Sequence, residues 1–497
     1  MALILGVETL QRDAAGLFSF VDSVCKPCYE EARSAQYLEP SKDFFSYVRE
    51  LGDCTKAYLN RFAADAPSDK RLYYYYRQKL ETIRSVWVEL HRFVKSAVDA
   101  DTLSIPYTLV EALTKRLNLL PGFRKTRFAI LQFDELNYLQ VRVSELKQTA
   151  DRLKSVIPDV NPFPEDLGLI GIPYSQPASI YLNCLISHEI GHFVFQRSEL
   201  KKKLLPEIEK NLAKILGAKL KTLPADDLDW SKDRLESWAE EIFCDLFAIW
   251  LIGPCYALTY IELFGLTTIL DPSETSGFKV TAGSKTFIRS HPADLFRLKQ
   301  HVRLLQRLEW WGEIERINSH FVDVLRNAIA VSENKLEFPT REKDSGYAHE
   351  TLRAFLGLAP FVASLIADLT KDSEGKEIDC GLAEYKKLGG LIEKYLRRAV
   401  VPSSVFDGKH HWYPNAVAIL NASMKFYLES LEKLMNDIEG QNTSLAGHRS
   451  RWIQRLESLT GKAIEDHQLL IDETGAVKVG STFKRADLRS LKSADHE

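Results

Sequence analysis

The residues His188, Glu189 and His192 form an H-E-x-x-H motif within the apolar stretch Ile186–Phe193. Positions four apart on a helix project from one face, so this spacing lets two imidazoles bind one metal ion. The glutamate beside the first histidine then lies next to the open position of the metal, where it can take a proton from a water. The motif therefore predicts a metal-dependent hydrolytic site with Glu189 as the general base.

A catalytic zinc site needs a third protein ligand, and the stretch Arg234–Leu251 supplies a candidate. This stretch is apolar nearly all round, which predicts a buried helix, yet it contains Glu241 and Asp245, four positions apart. A buried carboxylate is costly unless it is paired or binds a metal. We therefore predict that Glu241 ligates the ion and that Asp245 accepts a hydrogen bond from a ligating histidine. The alternative is that residues 240–245 are the solvated face of an ordinary helix.

H-E-x-x-H followed by E-x-x-x-D on a second helix resembles the gluzincins, the thermolysin-like clan of zinc metallopeptidases. The resemblance implies that His188, His192 and Glu241 are the three zinc ligands. It also implies that Glu189 is the general base and that Asp245 accepts a hydrogen bond from a ligating histidine. The gap of 49 positions from His192 to Glu241 is more similar to that of the CAAX prenyl endopeptidase group and its soluble relatives than to that of thermolysin.

A further segment, Ser290–Leu298, is similar to the H-P-x-x-x-x-R-hydrophobic run that those relatives carry after the glutamate helix. It contains His291 and Arg297, either of which could supply the donor that the oxyanion of a tetrahedral intermediate needs. The alternative is that Arg297 pairs with a carboxylate and that His291 only starts a helix before Pro292. The resemblance covers about residues 170 to 300, less than a third of the chain.

The composition is that of an ordinary globular protein, with 45% hydrophobic and 27% charged residues among 497. A formal net charge of −3 predicts no general affinity for nucleic acid or for an anionic membrane. The longest uncharged apolar run, residues 246–261, is short and is interrupted by Gly253–Pro254, so no membrane span is expected. Scattered cysteines indicate a reducing, cytoplasmic compartment. The lone C-x-x-C pair, Cys25 and Cys28, is either a redox or metal half-site or an incidental pair.

Hydrophobic periodicity predicts a mainly α fold with a small β-sheet, in which helical N- and C-terminal regions flank an α+β zincin-like core. Four segments are predicted along the chain. They are a helical N-terminal region at 1–160, the metallopeptidase core at 161–310, a helical region at 311–440, and a C-terminal segment at 441–497 with a hairpin and a polar tail.

Two segments near the site helices have predicted structures of their own. The glycine-rich segment Leu167–Tyr174 is typical of a short strand. It is a candidate for the sheet edge that, in zincins, holds the substrate by backbone pairing. The segment Pro224–Trp230, between the two site helices, predicts a loop.

We interpret the sequence as a soluble zinc metallopeptidase that binds one Zn²⁺ per chain and hydrolyses a peptide or protein substrate. One alternative is a catalytically silent, zincin-like binding or regulatory protein whose metal is structural. Another is a di-iron carboxylate bundle, because Glu189-x-x-His192 also matches E-x-x-H. That site needs a second E-x-x-H, and Glu241 is followed three positions later by Cys244 instead. Cys184 and Cys244 could touch the site, although buried structural thiols are the ordinary interpretation.

Overall fold

The structure is a computed structural model in which the chain forms two compact units. The first comprises Met1–Tyr107 and Lys125–Ala178, and the second comprises Thr108–Arg124 and Ser179–Glu497. The predicted boundary at residue 160 lies within the first unit, and those at 310 and 440 lie within the second. The described residues are 2–34, 39–64, 70–100, 104–133, 139–141, 143–173, 179–218, 225–268, 279–282, 285–288, 292, 294–317, 320–330, 348–438 and 445–474.

The first unit consists of long helices and a three-stranded sheet. Its elements are α1 (Ala2–Ser34), α2 (Glu39–Ala64), α3 (Lys70–Ala100), the start of α4 (Ser104–Leu117), β1 (Arg127–Phe133), β2 (Leu139–Val141), α5 (Val143–Lys154) and β3 (Leu167–Pro173). Helix α1 packs against α2 and α3, and α3 also packs against β1 and α5. The predicted helical character of the N-terminal region is therefore confirmed.

Strand β3 is the centre of the three-stranded sheet. It pairs in parallel with β1 along its whole length and antiparallel with β2 over three residues. The strand predicted in Leu167–Tyr174 is thus confirmed, but the expectation that it forms a sheet edge is wrong. All of its residues are buried, and its central residues Leu169–Gly171 are paired on both sides, with β1 and with β2, so β3 is an interior strand of the sheet.

The core of the first unit contains the C-x-x-C pair. Helices α1 and α2 approach closely there, since a Cβ on Gly52 would lie 2.3 Å from Cys25 Sγ. Trp87 of α3 is fully buried at the same place and donates a hydrogen bond to Thr55 Oγ1 at 3.2 Å. Cys25 and Cys28 are buried thiols, and burial raises the pKa of Cys25 to about 12. Packing alone accounts for the pair.

The second unit is almost entirely helical and contains the H-E-x-x-H motif. After α4, its helices are α6 (Ile186–Arg197), α7 (Leu200–Leu216), α8 (Ala225–Ile252), α9 (Pro254–Thr268), α10 (Asp294–Arg307), α11 (Trp311–Ile314), α12 (His320–Ala330), α13 (Ala348–Leu369), α14 (Leu382–Arg397), α15 (Ala416–Ile438) and α16 (Leu445–Thr474). Two short antiparallel pairs join β4 (Lys279–Ala282) to β5 (Lys285–Ile288) and β6 (Val405–Phe406) to β7 (His411–Trp412). The protein is therefore mainly α with a small β-sheet, as the sequence predicts. The predicted C-terminal hairpin and tail lie outside the described residues.

Helix α8 is the element around which the candidate site is built. It packs against α6, α7, α10 and α13, and every residue from Glu241 to its end is buried. The prediction of a loop over Pro224–Trp230 is wrong from Ala225 onward, because α8 begins there. Asp226 and Asp227 lie in its first turn, where acidic side chains stabilise a helix N-terminus.

Within the described part of the chain, α13 is the one helix whose length and composition would allow it to cross a membrane. In its apolar stretch, Glu350–Leu369, 44% is buried inside the protein. Its buried side packs against α7 and α8, as a core helix does.

Candidate metal centre

The H-E-x-x-H motif lies on α6, which begins directly after the 3-10 helix Leu182–Leu185. The rings of His188 and His192 are neighbours, with centroids 4.9 Å apart. Their side chains are mostly buried, at 11% and 17% exposure. The predicted placement of both imidazoles on one face of a helix is therefore confirmed.

Helix α8 reaches the two histidines because α6 carries a glycine between them. A Cβ on Gly191 would lie 2.7 Å from Cys244 Cα and 3.0 Å from Cys244 Cβ. Only a residue without a side chain permits this approach, since backbone of α8 cannot move aside as a flexible side chain can. The close contact brings the face of α8 that carries Glu241 and Asp245 against the imidazoles.

We expect Gly191→Ala to destabilise the protein by about 1–3 kcal/mol, the usual cost of overpacking a core, and to weaken metal binding. Alanine favours a helix over glycine, so a loss of stability would come from the clash with Cys244. Urea unfolding and zinc titration measure the two effects. Gly390→Ala in α14 is the matched control, because a Cβ there meets nothing within 4 Å and should leave stability equal or higher. Equal stability of the two variants would contradict the close-approach argument.

Each imidazole is oriented by a carboxylate on α8. The Nδ1 atom of His188 lies 2.9 Å from Asp245 Oδ1, and the Nδ1 atom of His192 lies 2.9 Å from Glu240 Oε1. Carboxylates accept hydrogen bonds, so these contacts assign the proton to Nδ1 in both neutral rings. The lone pair of each Nε2 atom is thereby left for a metal.

Both Nε2 atoms face the carboxylate of Glu241. Glu241 Oε2 lies 3.4 Å from His188 Nε2, and Glu241 Oε1 lies 3.6 Å from His192 Nε2. Tetrahedral zinc with bonds of 2.0–2.2 Å separates neighbouring N and O ligands by about 3.3–3.5 Å. Both Glu241–histidine distances are therefore close to those between neighbouring ligands of a tetrahedral zinc ion.

Cys244 offers a second possible ligand to the same histidines. Potential ligand atoms of His188, His192 and Cys244 all lie within 4.8 Å of one another. Burial raises the pKa of the Cys244 thiol well above its usual value, so a metal would have to displace its proton. Burial also opposes ionisation of Glu241, but the hydrogen bond from His188 and the charge of Arg297 outweigh it and lower its pKa to about 2. An ionised carboxylate at the tetrahedral distances makes Glu241 the better third ligand.

Loss of a residue that only hydrogen-bonds a metal ligand usually weakens metal binding by ~10–100-fold. We expect Glu241→Ala, which removes a proposed ligand itself, to weaken zinc binding by more than this. Cys244→Ala should bind zinc as wild type does, because it removes a protonated thiol that is not needed as a ligand. Competition with a chromogenic chelator measures both affinities. The opposite ranking, together with a thiolate charge-transfer band in the Co²⁺-loaded protein, would assign the ligand role to Cys244.

Asp245 is fully buried and is held by four side chains. Arg297 donates to it from Nε at 2.6 Å and Nη2 at 2.7 Å, and the Tyr256 hydroxyl donates at 2.5 Å. His301 Nε2 lies 3.1 Å from its Oδ2 atom, and His188 completes the set. Burial opposes ionisation of Asp245, but the charge and hydrogen bonds of Arg297 outweigh it, so its pKa lies well below its usual value. The predicted contact of Asp245 with a histidine is confirmed.

Without a metal, the carboxylates around His188 favour its protonated form. Burial disfavours its charged form, but hydrogen bonds to Asp245 and Glu241 outweigh this and raise its pKa to about 10. Metal ions bind only the neutral imidazole, so a cation at Nε2 competes with this proton. The two carboxylates thus supply the negative charge that a divalent ion at this site requires.

Glu189 is also a buried carboxylate, but its surroundings differ from those of Asp245 and Glu241. It is 8% exposed, and it forms no hydrogen bond or ion pair with any residue that the structure describes. A buried, unengaged carboxylate is costly, and such groups concentrate at functional sites. Its place directly after His188 on α6 leaves it available to exchange a proton with a bound molecule.

Arg297 lies in the network behind the histidines. It is 5% exposed, and beyond its two bonds to Asp245 its Nη2 atom lies 3.4 Å from Glu241 Oε2. The guanidinium also lies over the ring of Tyr260, at 4.9 Å. Arg297 therefore pairs with a carboxylate, which is the alternative considered from the sequence, and it is not placed as an oxyanion donor. His291 lies outside the described residues.

Three residues of the site were missed by sequence reasoning. Glu240 could have been identified from the sequence, since it directly precedes the predicted ligand Glu241. His301 follows Arg297 by four positions on α10 and so shares its face. Tyr256 had no signal in the sequence. Cys184, considered near the site, contacts Cys255 instead, with their Sγ atoms 3.5 Å apart.

The chain was also compared with other proteins as a whole. Comparisons with known protein families, with curated proteins and with solved structures find no match. The functional interpretation therefore depends on the geometry of the site and on the resemblance of its motifs.

Proposed function

We propose that this protein is a zinc-dependent metallopeptidase of the gluzincin type. One observation carries the proposal. Oxygens of the Glu241 carboxylate lie 3.4 Å from the Nε2 atom of His188 and 3.6 Å from that of His192, and a buried Glu189, which pairs with no described residue, follows the first of these histidines. The order of these residues along the chain, H-E-x-x-H then E-x-x-x-D, resembles the gluzincins and supports the same function.

The chain's own residues account for the proton transfers of peptide hydrolysis. When bound, zinc polarises the peptide carbonyl and lowers the pKa of a water towards neutrality. Glu189 takes a proton from the attacking water as its oxygen bonds to the carbonyl carbon. As the C–N bond breaks, Glu189 gives the proton to the leaving amine, so it ends the cycle ionised.

The carboxylates behind the histidines support this chemistry by fixing the rings. Asp245 and Glu240 each accept a hydrogen bond from an Nδ1 atom, which sets the ring orientation and raises the basicity of Nε2. Arg297 keeps Asp245 ionised by two hydrogen bonds. The site is thus held in one geometry before a substrate binds, which lowers the reorganisation needed in the transition state.

A structural metal site is the second candidate, and Cys244 is the observation that favours it. Cys244 lies near both histidines, and Glu241 lies near both Nε2 atoms, so four protein groups are available as ligands to one ion. Four protein ligands close a tetrahedral zinc site, whereas a catalytic site keeps one position open. In that case the protein would be a zincin-like binding or regulatory protein, with Glu189 uninvolved.

The test compares the proteins cut in cells that express wild type with those cut in cells that express Glu189→Gln. We expect new protein termini in the wild-type cells only. Equal zinc content of the two proteins ensures that the difference comes from the glutamate. If both cell populations show the same termini while both proteins carry zinc, the structural-metal candidate replaces the peptidase.

A further inference from the structure

The two histidines of the metal centre are held very unequally. The partner of His188, Asp245, is fully buried and fixed by Arg297, Tyr256 and His301. The ring of His188 is also stacked on Tyr256, with centroids 6.2 Å apart and planes at 7°. His188 is therefore restrained from several directions.

Outside the metal position that Glu241 faces, the His192 ring is oriented by its hydrogen bond to Glu240 on α8. Its partner, Glu240, has a side chain 23% exposed, and among the described residues its one hydrogen bond or ion pair is with His192. Within the ranges that the structure describes, no other side chain hydrogen-bonds to Glu240 as Arg297 does to Asp245. The ring of His192 is in turn edge-on to His188 and more exposed than it.

We propose that Glu240 is the positioning residue that sets the rate at which the metal leaves, and that release begins when His192 detaches. A chelated ion is lost one ligand at a time, so release starts at the ligand with the fewest restraints. The Glu240 carboxylate keeps the Nε2 atom of His192 aimed at the metal and makes it more basic. Removing that carboxylate should free the ring without disturbing Asp245. This inference rests on the metal centre of the proposed function, but not on peptidase activity.

The experiment measures transfer of Zn²⁺ from the full-length loaded protein to a large excess of a chromogenic chelator, under conditions where the rate no longer depends on chelator concentration. The variants are Glu240→Ala, Glu240→Gln and Glu236→Ala. Glu236 is the matched control, because it lies one turn earlier on the same face of α8, has a side chain 16% exposed, and is paired with Lys201 instead. Thermal unfolding of the metal-free forms reports any purely structural role.

We expect Glu240→Ala to release zinc ~10–100-fold faster than wild type. Glu240→Gln should fall between them, because it keeps a hydrogen-bond acceptor but loses the charge. Glu236→Ala should match wild type, and metal-free Glu240→Ala should unfold at the wild-type temperature.

Three results would overturn the inference. The first is zinc release from Glu240→Ala at the wild-type rate, and the second is an equal acceleration of release in Glu236→Ala. The third is a lowered unfolding temperature of metal-free Glu240→Ala, which would mean that the contact between Glu240 and His192 is structural. A wild-type protein that binds no zinc would overturn it together with the metal centre. Absence of peptide cleavage would overturn the proposed function alone, since no peptide takes part in this assay.

Discussion

Replacing Glu189 with glutamine is expected to lower peptide cleavage by about 10²–10⁴-fold, the usual contribution of a general base, while zinc content and fold stay unchanged. Glutamine has nearly the same shape but cannot accept a proton at neutral pH. Glu189 makes no hydrogen bond or ion pair with a described residue, so the substitution breaks no such contact. The rate is measured on a peptide taken from a cleavage site found in the cellular comparison.

The control is Glu236→Gln, which removes a carboxylate from a salt bridge with Lys201 and should leave the rate unchanged. Cleavage by the Glu189 variant at the wild-type rate would show that the base mechanism is wrong. Loss of zinc from the same variant would mean that Glu189 is a ligand. That result would favour the E-x-x-H interpretation of a di-iron centre.

Asp245→Asn should lower the free energy of unfolding of the metal-free protein by about 3–5 kcal/mol, the usual cost of removing one partner of a buried ion pair. The reason is that Arg297, which is 5% exposed, would keep its charge and lose the carboxylate that balances it. Asparagine also takes the negative charge away from His188 and His301. Chemical denaturation with a chelator present measures the effect separately from metal binding.

The matched control is Asp323→Asn, which also removes the carboxylate of an Asp–Arg pair. Asp323 lies 3.0 Å from Arg326, but the side chains are 60% and 47% exposed, and exposed pairs contribute about 0–1 kcal/mol. Similar losses in the two variants would mean that burial of the Asp245 network has no special energetic role.

The grouping of the two histidines with Glu241 and Asp245 was predictable because it depends on short-range spacing. His188 and His192 face the same way whenever their segment is a helix, and the same holds for Glu241 and Asp245 on α8. An apolar segment that carries two carboxylates needs positive charge nearby. These two arguments were sufficient to predict that Asp245 contacts one of the two histidines of the motif, and the structure shows that it is His188, across a separation of 57 positions.

The remaining contacts depend on packing between distant helices, which local periodicity does not encode. Tyr256 reaches Asp245 only because α9 turns back beside α8. Strand β3 shows the same limit, since its sequence predicts a strand but not whether its neighbours pair on both sides. The start of α8 was missed for a local reason, because the aspartates that suggest a loop also stabilise the first turn of a helix.

Elemental analysis of the purified protein is the most direct test of the central claim that His188, His192 and Glu241 form a zinc site. Wild type should contain one zinc ion per chain, and the double variant His188→Ala, His192→Ala should contain none while keeping its helical circular dichroism. The same zinc content in both proteins would show that the metal binds elsewhere. Wild type without zinc, even after incubation with Zn²⁺, would contradict the metal centre itself.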